Sequence, residues 1–312
     1  MVNKYPIRSI SFPSRSHPST LRVEEELIKF KGWETTSTST SDSICTGLSL
    51  LEDLYVGLDH VLNMASTQHV INHHKGEKCV EDVLDASVKI LDICGITRDT
   101  MLQIKENVQA LHSALRRRKG DSSIEKSVAE YSFFTKKMKK NVNKLITYLK
   151  QMDNNFGESL SLGYDNHFSC VIRVLREVIS MNLSLFKVIF SFLTMSSSKS
   201  KATKWFLVAK LMHKGGIACE DNSQNINEMQ CVEAVLNTLL NEDNNGEKMH
   251  ATHERLKDLE NAIESIGNGL ESIFRCFIKT RSSLLNIISK TNLLLNSPTN
   301  PPTHKKVTYV IK

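Results

Sequence analysis

An apolar repeat near the end of the chain, over residues 254–295, limits the possible folds more than any other stretch. Its apolar residues recur at spacings of three and four over more than three heptads, which is typical of a long helix with a buried seam. Phe274 and Ile288 widen this seam, and Ile278 and Leu285 extend it sideways. A seam of that width suits the central helix of a bundle better than a two-stranded coiled coil. The seam residues are Leu256, Leu259, Ile263, Ile266, Leu270, Ile273, Phe277, Leu284, Ile287 and Leu294.

The sequence therefore predicts an all-α protein, an elongated multi-helix bundle with a long heptad-patterned C-terminal helix. Its seam could pack inside one chain or against a second copy. Helix-breaking residues are scarce, with 13 glycines and 6 prolines in 312 residues, which agrees with this fold class. Within the last helix, Gly267 and Gly269 predict close approach of a neighbouring helix, or a kink.

The seven cysteines are dispersed and form no CxxC pair. An odd, scattered set argues against a disulfide framework and favours reduced thiols in the cytosol or nucleus. No apolar signal-peptide core opens the sequence, so we expect a cytoplasmic protein.

Residues 1–42 are predicted to form a basic tail, a short helix over 19–33 and a flexible Ser/Thr linker over 35–41. Residues 1–23 contain four basic residues and no acid, together with many serines and three prolines. A disordered tail is one interpretation. A plastid transit peptide is another, because such segments are rich in Arg and Ser and poor in acids.

A third interpretation of the tail is a phosphorylation site. Arg8, Ser9, Ser11 and Pro13 form an R-S-x-S-x-P pattern, with the arginine three residues before Ser11. A phosphate on Ser11 would add nearly two negative charges, which an Arg cluster of the 14-3-3 type binds. This hypothesis makes a 14-3-3 protein a candidate partner.

We predict one helical-bundle domain over residues 43–295, with a candidate sub-boundary at 153–166, followed by a disordered tail at 296–312. Ser19 or Thr20 should cap the first helix, and Asp42 or Ser43 the second. Gly95 should end a helix, and Thr97 should cap the next. The helix over 168–195 is the most apolar, but four charged residues interrupt it and indicate a core helix. The other predicted helices cover 79–94, 97–118, 122–152, 205–212 and 229–240.

The most basic part of the chain lies between residues 116 and 144, where ten basic residues face three acidic ones, a net charge of +7. A solvated helix face is one interpretation. Contact with an anionic lipid surface, worth about 1 kcal/mol per basic residue, is the alternative. We expect no nucleic-acid partner, because no binding motif or aromatic platform accompanies the charge. The candidate contacts are Arg116, Arg117, Arg118, Lys119, Lys136, Lys137, Lys139, Lys140 and Lys144.

No pattern for catalysis or for metal or cofactor binding stands out. His69 and His73 have the i,i+4 spacing of a metal pair, but no third ligand follows at a fixed spacing and Gly76 breaks the helix. No HExxH frame surrounds His250 or His253, and neither a P-loop nor a Rossmann turn occurs. We therefore expect no catalytic residues, no metal and no cofactor.

Four blocks of sequence carry a resemblance to a known family. They read IRSISFPSRSHP from residue 7, SICTGL from 43, LDICG from 91 and FIKTRSSLLNII from 277. Together they resemble a plant-specific family related to the BYPASS proteins. The resemblance implies a helical plant protein with no established enzyme activity, in a family associated with root and shoot development. It supplies no catalytic residues.

Three functions fit these observations. The first is a non-enzymatic helical adaptor in plant development that acts through protein contacts and has a phospho-regulated tail. The second is a peripheral membrane protein in trafficking that binds anionic lipid through residues 116–144. The third is an enzyme of unknown type, since helices that face each other can hold a catalytic site.

Overall fold

The computed structural model describes residues 18–117, 121–155, 166–194, 226–241 and 246–290. These ranges form eight α-helices and no strand, which confirms the all-α fold class. The last helix has 44 residues and is about 66 Å long at 1.5 Å per residue. The helices are α1 (Pro18–Thr36), α2 (Ser41–Leu62), α3 (Ala65–His73), α4 (Lys78–Arg116), α5 (Asp121–Asn155), α6 (Asn166–Thr194), α7 (Glu228–Asn241) and α8 (Gly246–Ser289).

Helix α8 packs mainly against α2, α4 and α7. From Leu256 to Ile287, each seam residue that the structure describes is at most 4% exposed. The seam is therefore buried within this chain. Phe274 and Ile288 pack partly against the core, as predicted. Ile278 and Leu285 stay 46% and 43% exposed and lie at the edge of the seam.

Helices α4 and α8 run antiparallel, and polar pairs mark their interface. Cys94 Sγ lies 3.8 Å from the Leu270 carbonyl oxygen, so the backbones approach closely in the middle of both helices. Three basic side chains at seven-residue intervals on α4 meet glutamates on α8. These pairs are Arg98–Glu271, Lys105–Glu264 and His112–Glu260.

The prediction of a helix break at Gly95 was wrong, because α4 is one helix of 39 residues. Thr97 lies inside it, fully buried, and its hydroxyl donates to the Ile93 carbonyl at 2.6 Å. Glycine costs about 1 kcal/mol in a helix, but the long contact with α8 outweighs that penalty.

The connection between α1 and α2 is short and tied down, so the predicted flexible linker was wrong. Helix α1 continues to Thr36, and α2 begins at Ser41. Thr40 caps α2 in place of Asp42 or Ser43, and its hydroxyl accepts from Ser43 N at 3.4 Å.

Helix α1 belongs to the same hydrophobic core as the helices that follow it. It starts at Pro18, a residue that is favoured at the first position of a helix. Ser19 and Thr20 therefore lie inside the helix, and the prediction that one of them caps it was wrong. Val23, Leu27 and Phe30 are at most 1% exposed and pack with the core cluster of α2 to α8. Trp33 Nε1 donates to the Ser43 carbonyl at 2.9 Å. Residue 42 therefore does not separate two cores.

Helix α6 is long and apolar enough to cross a membrane by length and composition, and 61% of its most apolar window is buried in the bundle. A buried core helix passes the same test, and α6 contacts α1, α2, α3, α4 and α5. The helices on both sides of the candidate sub-boundary share one core cluster. Most of that sub-boundary, the predicted helix over 205–212 and the tail over 296–312 lie outside the described residues.

Candidate functional site

Helix α5 buries one side and presents lysines on the other. Its buried side includes Val128, Met138, Val142 and Leu149, each at most 5% exposed. These residues pack against α4 and α6, and α5 makes no comparable contact with α8. The opposite side of a long helix is thus turned away from the centre of the bundle.

Four of the predicted lysines form a row on that outer side. Lys136, Lys137, Lys140 and Lys144 are exposed, and spacings of three and four place them on one helical face. Among the residues that the structure describes, none of the four has a carboxylate within 4.0 Å. Their charges are therefore available to a partner.

Phe133 begins the same row, one turn before Lys136 and Lys137. Its exposed fraction of 73% is the largest among the exposed apolar side chains of the described ranges. From Phe133 to Lys144 the row spans about 16 Å. We call Phe133, Lys136, Lys137, Lys140 and Lys144 the α5 lysine face.

Sequence reasoning missed Phe133. The neighbouring Phe134 fits the apolar period of α5 and is partly buried in the core, as predicted. Phe133 does not fit that apolar period, so the sequence could have predicted that its side chain lies on the exposed side of α5.

No acid of α5 lies within the stretch that carries the α5 lysine face. Between Tyr131 and Met152 the sequence contains six lysines and neither Asp nor Glu. The next acid, Asp153, pairs with Lys187 of α6 at 2.7 Å. The α5 lysine face therefore attracts anions over its whole length.

The other residues of the predicted basic cluster do not belong to the α5 lysine face. Lys139 is half-buried, with its Nζ atom 3.2 Å from Glu233 Oε2 of α7, so this lysine connects helices. Arg116 and Arg117 are exposed at the end of α4, while Arg118 and Lys119 lie outside the described ranges. The start of α5, next to those arginines, lies 23 residues or about 35 Å from Lys144.

A groove between α4 and α5 adjoins the α5 lysine face at Lys144. It encloses about 840 Å³ including its opening to solvent, and Ile96, Met138 and Leu145 contribute apolar walls. Ile96 is 48% exposed. A partner that contacts the lysines can therefore also bury apolar surface in this groove.

The three histidines at positions 69, 73 and 74 stack on other aromatic rings of the protein. The rings of His69 and His73 stack with centroids 6.4 Å apart, and His74 stacks on Phe168 at 4.2 Å. No group of three or more His, Cys, Asp or Glu side chains within the described ranges could hold a metal ion.

The cysteines that the structure describes are free thiols, and burial keeps several of them protonated. Burial raises the pKa of Cys94 to about 12. It also raises the pKa values of Cys45 and Cys276, which are partly buried. A nucleophilic thiol needs a lowered pKa, so these three cysteines are not activated.

Comparison with known families identifies the chain. The family described as "Protein BPS1" matches residues 47–287. The chain belongs to the BPS1 family. This confirms the resemblance to BYPASS-related proteins, and membership implies a role in plant development. The BPS1 family is not a known enzyme family.

The α5 lysine face lies inside the matched range, whereas Arg8, Ser9, Ser11 and Pro13 lie outside both that range and the described residues. No curated protein and no solved structure matches the chain.

Proposed function

We propose that this BPS1-family protein is a non-enzymatic adaptor in root and shoot development, which binds an acidic protein partner through the α5 lysine face. The observation that carries the proposal is Phe133, which is 73% exposed at the head of a row of exposed lysines. An exposed aromatic anchor beside charged groups is the arrangement of a protein-binding hot spot.

The two kinds of side chain would contribute differently to binding. Burial of Phe133 in a pocket of the partner would stabilise the complex by about 1.5–3 kcal/mol. The lysines would mainly raise the association rate and select acidic partners, because rim charges act over a distance and remain hydrated. Binding should therefore weaken with salt.

The tail supplies the regulatory part of the proposal. Phosphorylation of Ser11 would create a site for a 14-3-3 protein, with Arg8, Ser9 and Pro13 completing the motif. A Ser11→Ala variant should lose that partner and keep the partners of the α5 lysine face. Loss of both sets together would contradict a separate role for the tail.

Affinity purification from plant tissue tests the adaptor proposal. The α5-face variant combines Phe133→Ser with Lys136→Glu, Lys140→Glu and Lys144→Glu. A matched control combines Ile28→Ser with the same reversal at Lys75, Lys78 and Lys257, since Ile28 is 71% exposed and these lysines are exposed elsewhere. We expect the wild-type partner set with the control and its loss with the α5-face variant. Equal partner sets for both variants would contradict the proposal.

A second candidate is peripheral membrane binding in trafficking, favoured by the same exposed Phe133. An aromatic side chain that enters the lipid interface beside lysines is typical of proteins that bind anionic membranes. Flotation with phosphatidylcholine vesicles, with and without phosphatidylserine, tests it. Binding that requires phosphatidylserine and Phe133 would support it, and binding that ignores the anionic lipid would contradict it. Both candidates act in the cytoplasm.

A further inference from the structure

The outward surface of α4 carries acids where that of α5 carries lysines. Asp92, Asp99 and Glu106 follow one another at seven-residue intervals, and all three are exposed. Residues seven apart lie on one helical face, so these acids form a row about 21 Å long. No Lys, Arg or His nitrogen of the described ranges lies within 4.0 Å of their carboxylates. We call Asp92, Asp99 and Glu106 the α4 acidic row.

Helix α4 separates its charges between two sides. Arg98 and Lys105 each precede an acid of the row by one residue, and both pair with glutamates of α8. One residue is a rotation of about 100° around a helix, so the bases lie at the α8 interface and the acids face away from it. The α4 acidic row is therefore not neutralised by the bases of its own helix.

The α4 acidic row and the α5 lysine face lie on opposite rims of the groove between the two helices. Asp99 and Lys144 both line that groove, one from each helix, and they are too far apart to form an ion pair. Ile96, Met138 and Leu145 contribute its apolar walls. This surface thus consists of an acidic stripe, an apolar groove and a basic stripe, side by side.

The two charged stripes also match along the bundle. Helices α4 and α5 are consecutive, pack on each other and are joined by a short connection, so they run antiparallel. Residues 96–103 of α4 and 138–145 of α5 line the same groove, so Asp99 lies at the level of the last two lysines of the α5 lysine face. Glu106 lies about two turns further along, at the level of its first two lysines.

We propose that this surface binds a second copy of the same chain, with a twofold axis that runs along the groove. An axis in that direction lays α4 of one copy on α5 of the other and keeps each residue at its own level along the bundle. Each α4 acidic row then faces an α5 lysine face, so the interface contains two identical sets of opposite charges. A twofold axis across the helices would instead bring like charges together. Such a dimer rests on the proposed binding role of the α5 lysine face, and it makes a second copy one of the acidic partners of that face.

The size of the surface predicts a reversible dimer. The stripes are about 22 Å long and two helices side by side are about 20 Å wide, so each copy would bury about 450 Å². Stable complexes bury about 800 Å² per partner, and transient ones bury less. Phe133 and Tyr148, 73% and 37% exposed, lie one turn before and one turn after the lysines and add aromatic area to the contact.

Sedimentation velocity of the full chain, at protein concentrations up to about 300 μM, tests for this dimer. We expect a monomer–dimer equilibrium at about 50 mM salt that shifts to monomer at about 500 mM, because salt screens exposed charges. A monomer at every concentration in low salt would overturn the proposed dimer and leave the groove to a different protein.

Two charge reversals show which surfaces meet. The α4 reversal combines Asp92→Lys, Asp99→Lys and Glu106→Lys, and the α5 reversal combines Lys137→Glu, Lys140→Glu and Lys144→Glu. Each variant alone places like charges in both halves of the twofold interface, so each should be monomeric. An equal mixture of the two should dimerise again, because every contact then joins opposite charges. A monomeric mixture, or a dimer of either variant alone, would contradict the pairing of α4 with α5.

A matched control reverses three exposed acids outside α4. It combines Glu25→Lys, Asp53→Lys and Glu247→Lys, and it should dimerise as the wild type does. Loss of the dimer in this control would show that net charge governs association, which would overturn the role of the α4 acidic row.

The α4 reversal also separates this test from that of the adaptor proposal. It keeps the α5 lysine face intact, so affinity purification should still recover the partners other than a second copy. A wild type that stays monomeric overturns the dimer and leaves the adaptor proposal standing. Equal partner sets for the α5-face variant and its control contradict the adaptor proposal, whatever the oligomeric state.

Discussion

Two glycines show where single atoms set the distance between helices. A Cβ atom at Gly269 would lie 2.8 Å from Leu48 Cδ1 and 3.2 Å from Leu48 Cβ. A Cβ atom at Gly47 would meet the Trp33 ring in the same way. At Gly267, by contrast, a Cβ atom has nothing within 4 Å. The close approach that we predicted for the last helix is thus confirmed at Gly269 alone.

Gly269→Ala and Gly267→Ala should therefore change stability in opposite directions. We expect Gly269→Ala to lower the free energy of unfolding by about 1–3 kcal/mol, because the methyl group overpacks the contact with Leu48. Gly267→Ala should raise it by up to about 1 kcal/mol through helix propensity. Urea unfolding followed by circular dichroism measures both. Equal losses in the two variants would contradict the close approach of α2 and α8.

Cys94 should make the fold sensitive to alkali. Its pKa rises from 9.0 to about 12 on folding, so the unfolded chain loses this proton at lower pH than the folded one. The stabilisation is complete below pH 9 and decreases as the pH rises towards 12. Unfolding free energies measured across that window should decline less in Cys94→Ala than in Cys231→Ala. Identical slopes would show that Cys94 is not buried as a thiol.

At the scale of the helix, Gly95 tests whether α4 is continuous. A glycine that ends a helix usually adopts a left-handed conformation, where alanine is strained. Gly95 is helical, and a Cβ atom there has nothing within 4 Å. Gly95→Ala should therefore raise the free energy of unfolding by up to about 1 kcal/mol. Destabilisation by this substitution would favour the two-helix interpretation.

The sequence predicted the apolar faces of the helices better than their ends. The buried stripes of α2, α5 and α8 follow from periodicity alone, because burial acts on every turn of a helix. The ends at Gly95 and Thr97 were wrong, because local signals of about 1 kcal/mol compete with packing along a whole helix. The Ser/Thr linker was wrong because its hydroxyls act as caps.

The candidate sites were predictable only in part. The lysines of α5 stand out in the sequence, and Lys139 differs from its neighbours only because Glu233 of α7 lies beside it. Phe133 could be predicted as exposed only by noticing that it does not fit the apolar period of α5.

At the scale of the whole molecule, α1 is part of the bundle although it precedes the matched family range. Phe30 is fully buried and Ile28 is 71% exposed on the same helix. Phe30→Ala should lower the free energy of unfolding by about 3–5 kcal/mol, because it opens a cavity in the shared core. Ile28→Ala should stay within about 0.5 kcal/mol of wild type. Similar small effects for both would mean that α1 does not pack on the core.

The most direct test of the adaptor proposal is growth of roots and shoots in a plant line that lacks this protein and expresses one variant. We expect the control variant, with Ile28→Ser and reversals at Lys75, Lys78 and Lys257, to restore growth. The α5-face variant should fail at equal protein abundance, because it retains the core and loses its contact surface. Full restoration by the α5-face variant would contradict the claim that this BPS1-family protein acts through α5.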